Sequence, residues 1–157
     1  MTLDELDFKV AVLERSSKML QELESHITSS ISGIKFEYNN RRTHVIQVSS
    51  SYAGYGVQCI DVEGFSFHIS IGESELVKNL LSPYSEILFT LRNKYNFIST
   101  QIGHFVNTKR IISTSGVNGR IIRLSVIGPL AEITILVNDS DFKYMYYSDF
   151  TKEWSFK

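Results

Sequence analysis

Short turns divide this chain into segments in which apolar and polar residues alternate, and this pattern limits the possible folds more than any other feature of the sequence. The clearest alternation spans residues 65–71, where every second residue is Phe or Ile. Strands joined by short turns pair antiparallel. The sequence therefore predicts a largely antiparallel sheet, or sheets, of about eight strands, near residues 34–38, 43–48, 57–62, 65–71, 105–113, 120–127, 130–137 and 142–147.

Two helical regions interrupt the strands. At the start of the chain, Thr2 and Glu5 have the spacing of a capping box, and apolar residues follow at helical steps for roughly 25 residues. A shorter helix is expected from about Ser74, and a central helix at Ser82–Pro83, where serine suits the N-cap and proline the first helical position. The predicted order is α-ββββ-α-ββββ. Because no Pro- or Gly-rich linker divides it, we predict a single α+β domain over residues 1–157.

Composition excludes several classes of protein. A single cysteine rules out a disulfide framework and a multi-cysteine zinc site, and the four histidines lack metal-ligand spacing, so we expect no metal and no cofactor. No apolar run approaches the roughly 20 residues that span a bilayer. Asp4, Glu5 and Asp7 argue against a signal peptide. We therefore expect a cytoplasmic protein that does not enter membranes.

One hairpin contains residues that could form an enzyme site. If a two-residue turn follows residue 62, Cys59 lies opposite His68, with Asp61 nearby. An adjacent imidazole lowers the pKa of a thiol and activates it as a nucleophile. The alternative is a half-buried strand cysteine beside a solvated histidine. Because no nucleophile turn or oxyanion-binding helix start adjoins Cys59, the sequence favours a protein that is not an enzyme.

Charge is distributed unevenly along the chain. Residues 1–90 hold seven basic and twelve acidic side chains, whereas residues 91–157 hold nine and five, so the net charge of −1 hides two opposite halves. No acidic residue lies between Glu86 and Glu132, but six basic residues do: Arg92, Lys94, Lys109, Arg110, Arg120 and Arg123. Aromatic residues are interleaved with them, which is typical of nucleic-acid or anion binding. The alternative is that these residues pair with the acidic first half.

Residues 49–56 are rich in Ser, Gly and Tyr and are predicted to form a loop between two strands. Such a composition is typical of recognition loops, with Tyr52 and Tyr55 as the contact residues. The alternative is a connector whose tyrosines fold back onto the sheet.

The C-terminal segment, residues 142–156, contains seven aromatic residues. Strand alternation predicts that Phe142, Tyr144 and Tyr146 are buried together, while Met145 and Tyr147 face outward or against a helix.

Three features favour a non-catalytic protein-binding domain: no complete catalytic motif is present, residues 49–56 are rich in Tyr, and the charge is divided between the two halves of the chain. The expected role is that of a small bacterial immunity or antitoxin-type inhibitor, which neutralises a toxin by direct binding. Its acidic residues would meet a basic surface of that partner. The expected partner-binding residues are Tyr52, Tyr55, Glu14, Glu22, Glu24, Asp61 and Glu63. The alternatives are a small enzyme that uses Cys59 and His68, and a nucleic-acid or anion-binding domain that uses residues 92–123.

Overall fold

The structure is a computed structural model that describes residues 1–51 and 54–157. In these residues it has four α-helices: α1 (Leu3–Ile31), α2 (Glu75–Leu81), α3 (Ser85–Val106) and α4 (Tyr147–Glu153). The first four strands are β1 (Lys35–Tyr38), β2 (Arg41–Ser51), β3 (Gly54–Asp61) and β4 (Ser66–Ser70). The others are β5 (Arg110–Ser113), β6 (Asn118–Ile127), β7 (Leu130–Val137), β8 (Asp141–Tyr146) and β9 (Trp154–Phe156).

The predicted fold class is confirmed. The chain is α+β, its sheets are antiparallel, and a long N-terminal helix precedes the first four strands. The capping-box spacing at the start of α1 has its expected effect, because Thr2 Oγ1 accepts a hydrogen bond from the Glu5 backbone at 3.2 Å. Ser74 caps α2 in the same way, accepting from the Val77 backbone at 3.4 Å. The central helix begins at Ser85, slightly later than predicted.

The end of the central helix was predicted wrongly. A strand was expected from Phe105, but α3 continues to Val106 and β5 begins only at Arg110. The reason is the four-residue spacing of Ile98, Ile102 and Val106, which all pack into one core from a single helix face. The short helix α4 and the strand β9, which follow β8, were not foreseen.

The chain divides into two compact units, and each long helix contributes to both. We call Leu20–Leu91 the four-stranded unit and Met1–Met19 with Arg92–Lys157 the five-stranded unit. The assignment of the whole chain to one domain stays a prediction.

The four-stranded unit is built on a meander in which each strand pairs with the next, in the order β1-β2-β3-β4. One sheet face packs against α2 and residues of α1 and α3. Its fully buried side chains are Ile27, Val45, Val57, Cys59, Ile69, Val77, Leu81 and Leu88.

The five-stranded unit has the strand order β8-β7-β6-β5-β9. Apolar residues from β5, β6 and β7 form its core together with α4 and parts of α1 and α3. Its fully buried side chains include Leu6, Leu13, Ile102, Ile111, Ile121, Ile133 and Ile135. The other face of this sheet carries the site described below.

The turn between β3 and β4 is longer than the sequence suggested, which shifts the strand register by one residue. Asp61 accepts hydrogen bonds from the backbone N–H groups of Glu63 and Phe65 at 2.9 and 3.0 Å, so its carboxylate organises the turn. As a result Cys59 pairs with Phe67, and His68 pairs with Gln58. The predicted opposition of Cys59 and His68 is therefore wrong.

The expected orientation of β8 is also wrong. Met145 pairs with Ile133 on the core side, and Tyr147 is buried at the start of α4. Phe142, Tyr144 and Tyr146 consequently point the other way and are 58%, 64% and 49% exposed. The aromatic residues that the sequence placed in the core lie on the surface.

Candidate functional site

The candidate site is the exposed face of the five-stranded sheet, opposite its core, which we call the open face. Strand pairing places Arg110, Arg120, Leu136 and Phe142 in one row across four strands. Neighbouring rows are Arg123–Thr134–Tyr144 and Ser125–Glu132–Tyr146. The arginines thus lie on one side of this face and the aromatic rings on the other. Between them lie Leu136 and Thr134 of β7, which are 7% and 6% exposed.

The aromatic side of this face is a straight stripe on the edge strand β8. Phe142, Tyr144 and Tyr146 are alternate residues, so their Cα atoms follow each other at about 6.8 Å. Isolated exposed apolar residues are common. Three large exposed rings that follow each other along one strand, however, make a patch of the kind found at binding surfaces.

A β-bulge is needed to bring the third arginine to the same face. The β6–β7 register shifts between Ile121 and Arg123, which leaves Ile122 as the extra residue. Without the extra residue, Arg123 would fall on the core side with Ile121. With it, Arg123 pairs with Thr134 in the row next to Arg120.

The three arginines of the open face, Arg110, Arg120 and Arg123, are exposed to solvent. Arg110 and Arg120 are exposed and lie directly opposite each other on β5 and β6, an arrangement that is unfavourable for like charges. Among the described residues, no salt bridge involves Arg110, Arg120 or Arg123. The alternative, in which the basic residues pair with the acidic first half of the chain, stays a prediction.

The other predicted basic residues are not part of the open face. Arg92 lies over the ring of Tyr95, 5.7 Å from its centre, and Lys109 Nζ lies 4.6 Å from the centre of Phe105. Lys94 is exposed on α3. Three of the six predicted basic residues, Arg110, Arg120 and Arg123, therefore lie on one face of the sheet.

The candidate enzyme residues are not arranged for catalysis. Since Cys59 pairs with Phe67, its thiol lies on the core face and His68 on the opposite face of the same sheet. Burial raises the pKa of the Cys59 thiol to about 11, whereas activation requires a lowered pKa.

Asp61 has a structural role in the same hairpin. Its carboxylate also accepts a hydrogen bond from Arg41 at 3.1 Å. Burial by itself would raise the pKa of Asp61, but the hydrogen bonds from Phe65, Arg41 and Glu63 outweigh it and lower the pKa below its ordinary value.

Several predicted partner-binding residues form internal contacts. Tyr55 is buried, and its hydroxyl donates to Glu24 Oε1 at 3.0 Å. Its segment is a strand on both sides of residues 52–53 rather than a loop. Glu14 Oε2 accepts from the Ala131 backbone at 2.8 Å. Glu22 and Glu63 are exposed, and Tyr52 lies outside the described residues.

The aromatic stripe is the functional candidate that the sequence did not place. Strand β7 is buried along almost its whole length, so apolar and polar residues do not alternate clearly in its sequence. The side chains of β7 therefore do not indicate which face of the neighbouring strand β8 is exposed. The seven aromatic residues in this segment were the available signal, but only the strand register showed which of them are exposed.

Two further properties of the described residues concern membranes and metals. None of the helices combines the length and the apolar character that crossing a bilayer requires. Across residues 1–51 and 54–157, His, Cys, Asp and Glu side chains do not assemble in groups of three that could hold a metal ion.

Comparison with protein-family profiles, curated proteins and solved structures finds no match to this chain.

Proposed function

We propose that this protein is a non-catalytic protein-binding domain and that it binds its partner with the open face of the five-stranded sheet. The observation that carries the proposal is the exposed stripe of Phe142, Tyr144 and Tyr146 on β8, which shares one sheet face with Arg120 of β6 and Arg110 of β5. Tyr, Phe and Arg are the residue types enriched in protein interfaces, and Tyr and Arg are prominent among those that contribute most binding energy.

The chemistry of the face indicates the kind of partner segment that it fits. An extended chain places alternate side chains about 6.8 Å apart, which matches the spacing of the three rings along β8. Arg120 of β6 and Arg110 of β5, on the same face of the sheet, complement negative charge. The partner surface is therefore an extended segment that combines apolar and acidic side chains.

The role expected from the sequence, neutralisation of a toxin, is part of this proposal. Binding of the open face would neutralise such a partner by covering the surface that it contacts. The predicted acidic contact surface has less support, because Glu14, Glu24 and Asp61 are engaged in hydrogen bonds within the chain.

A second candidate function is binding of single-stranded nucleic acid. Exposed rings and arginines on one sheet face could stack bases and contact phosphates. Charge favours the protein partner, because the chain carries a net charge of −1 and so exerts no overall attraction on a long polyanion. Glu132 also lies in the row of Tyr146, where it disfavours phosphate.

Selection from a randomised 12-residue peptide library tests the proposal. We expect enriched peptides to combine acidic and apolar residues. The variants Tyr144→Ser and Arg120→Glu should each bind a selected peptide at least tenfold more weakly than the wild type. The variant Lys35→Glu changes an exposed residue of β1 in the four-stranded unit and should bind as the wild type does.

Two outcomes would overturn it. In the first, no peptide is enriched, or the selected peptides bind the open-face variants as well as they bind the wild type. In the second, oligonucleotides bind with a steep dependence on salt and compete with the peptides, which would instead favour the second candidate.

A further inference from the structure

We propose that the cleft between Arg110, Arg120 and Lys157, at one end of the open face, is an oxyanion site. It would take a phosphate or a pair of carboxylates carried by the ligand of that face, and to that extent the inference rests on the proposed function. The cleft has a volume of about 440 Å³ and is lined by Arg110, Asn118, Gly119, Arg120, Asn138, Asp139 and Lys157.

The two arginines form the centre of the site. They are directly paired residues of β5 and β6, so their Cβ atoms are about 5 Å apart and their side chains leave the sheet on the same side. A guanidinium group pairs with carboxylate or phosphate through two parallel N–H groups. An oxyanion between them would remove the repulsion that the two positive charges otherwise exert on each other.

Lys157 adds a third positive charge that is held in place. Its backbone N–H donates to the Arg110 carbonyl at 3.0 Å, and its Nζ donates to Asn118 Oδ1 at 2.8 Å. The amide of Asn118 thus positions the ammonium group at the cleft. Because a positioned side chain loses less entropy when it binds a ligand, this contact favours anion binding.

The turn between β7 and β8 closes the other side of the cleft. Asn138 and Asp139 adopt the left-handed conformation, with φ of 50° and 59°. The turn is fixed to β6, because the Asn138 backbone N–H donates to the Asn118 carbonyl at 3.1 Å. Asp139 has the one carboxylate side chain among the described lining residues, against three cationic side chains.

The size of the cleft indicates the class of anion. Its volume of about 440 Å³ exceeds many times the roughly 30 Å³ that one water occupies in the liquid. It therefore has room for a group larger than a chloride ion. Two forked arginines and a lysine suit an anion with several oxygens and a charge of about −2 or more.

Titration of the ¹⁵N-labelled protein with pyrophosphate, and separately with succinate, tests this site. Sodium chloride at equal ionic strength is the reference. We expect saturable NMR shifts of the Asn118, Gly119 and Arg120 amides with at least one of the two anions, and none with chloride. Saturation by pyrophosphate alone identifies phosphate as the ligand group, and saturation by succinate alone identifies paired carboxylates.

Variants separate this site from general attraction to a basic surface. Arg110→Gln and Arg120→Gln should each weaken binding at least fivefold, while Lys152→Gln, an exposed lysine elsewhere in the unit, should leave it unchanged. Well-dispersed spectra of the variants establish that they fold. Shifts that equal those with chloride, or that persist in both arginine variants, would overturn the inference.

The result is independent of the peptide selection. Anion binding without any selected peptide would leave the oxyanion site standing and remove the proposed protein-binding function. Peptide binding by the open face without saturable anion binding would leave the protein-binding function standing and remove the oxyanion site.

Discussion

Gly56 allows β3 and β4 to approach closely in the four-stranded unit. A Cβ atom at this position would lie 2.0 Å from the Ile69 carbonyl oxygen and 2.7 Å from the Ser70 Cα. Both neighbours are backbone atoms of a paired strand, so they cannot move aside as a flexible side chain could. The requirement for glycine here is therefore steric.

We predict that Gly56→Ala lowers the free energy of unfolding by about 3 kcal/mol or more, because the added methyl group forces the strands apart. Urea denaturation measures the change. Gly72→Ala is the matched control, since a Cβ there meets nothing within 4 Å. Equal stability of the two variants would contradict the close approach of the strands.

Asp61 makes stability depend on pH in a defined direction. Its folded-state pKa lies below the ordinary value of 3.8, so its ionised form stabilises the fold above that value. This contribution is lost as the pH falls through the lower folded-state pKa. We predict that the difference in urea midpoint between the wild type and Asp61→Asn stays constant from about pH 7 to 5 and narrows below about pH 4. A difference that widens as the pH falls would contradict the assignment.

Cys59 should be unreactive in the folded protein. Its side chain is fully buried and its pKa is about 11, so at pH 8 very little thiolate is present. We predict that iodoacetamide alkylates the native protein at least about 100-fold more slowly than an exposed thiol of ordinary pKa. The same protein in guanidinium chloride is the control and should react rapidly. Reactivity above that of a free thiol would restore the enzyme hypothesis.

At the scale of elements, β8 and β7 divide their side chains between surface and core. Tyr144 of β8 is 64% exposed and pairs with Thr134 of β7. The residue next to Thr134 in β7, Ile133, is fully buried. We predict that Tyr144→Ala changes the free energy of unfolding by less than about 0.5 kcal/mol. Ile133→Ala should cost about 2–5 kcal/mol. Thermal denaturation of both variants distinguishes this orientation from the reverse, in which Tyr144→Ala would be the more damaging change.

The sequence predicted which elements exist better than it predicted how they pair. Helical periodicity and short turns identified the long first helix and eight strands, because those signals are local. Strand register depends on contacts between residues of different strands, which the alternation within one segment does not reveal. The Asp61 carboxylate lengthened one turn, and the extra residue Ile122 brought Arg123 onto the face of Arg120. Both changes moved candidate site residues from one face of a sheet to the other.

For the whole molecule, the divided charge follows the two compact units. The five-stranded unit has twelve basic and nine acidic side chains, and the four-stranded unit has four and eight. The open face thus belongs to the unit with positive net charge. An acidic partner would be attracted to the five-stranded unit and repelled by the other, so association should slow as salt increases.

The most direct test of the central claim is a hydrogen–deuterium exchange footprint of the protein with a peptide selected by binding. We predict that the peptide slows exchange in residues 118–127 and 141–146, which form β6 and β8 of the open face. The four-stranded unit should show no change. Protection confined to the four-stranded unit, or its absence from β6 and β8, would contradict the assignment of the open face as the binding surface.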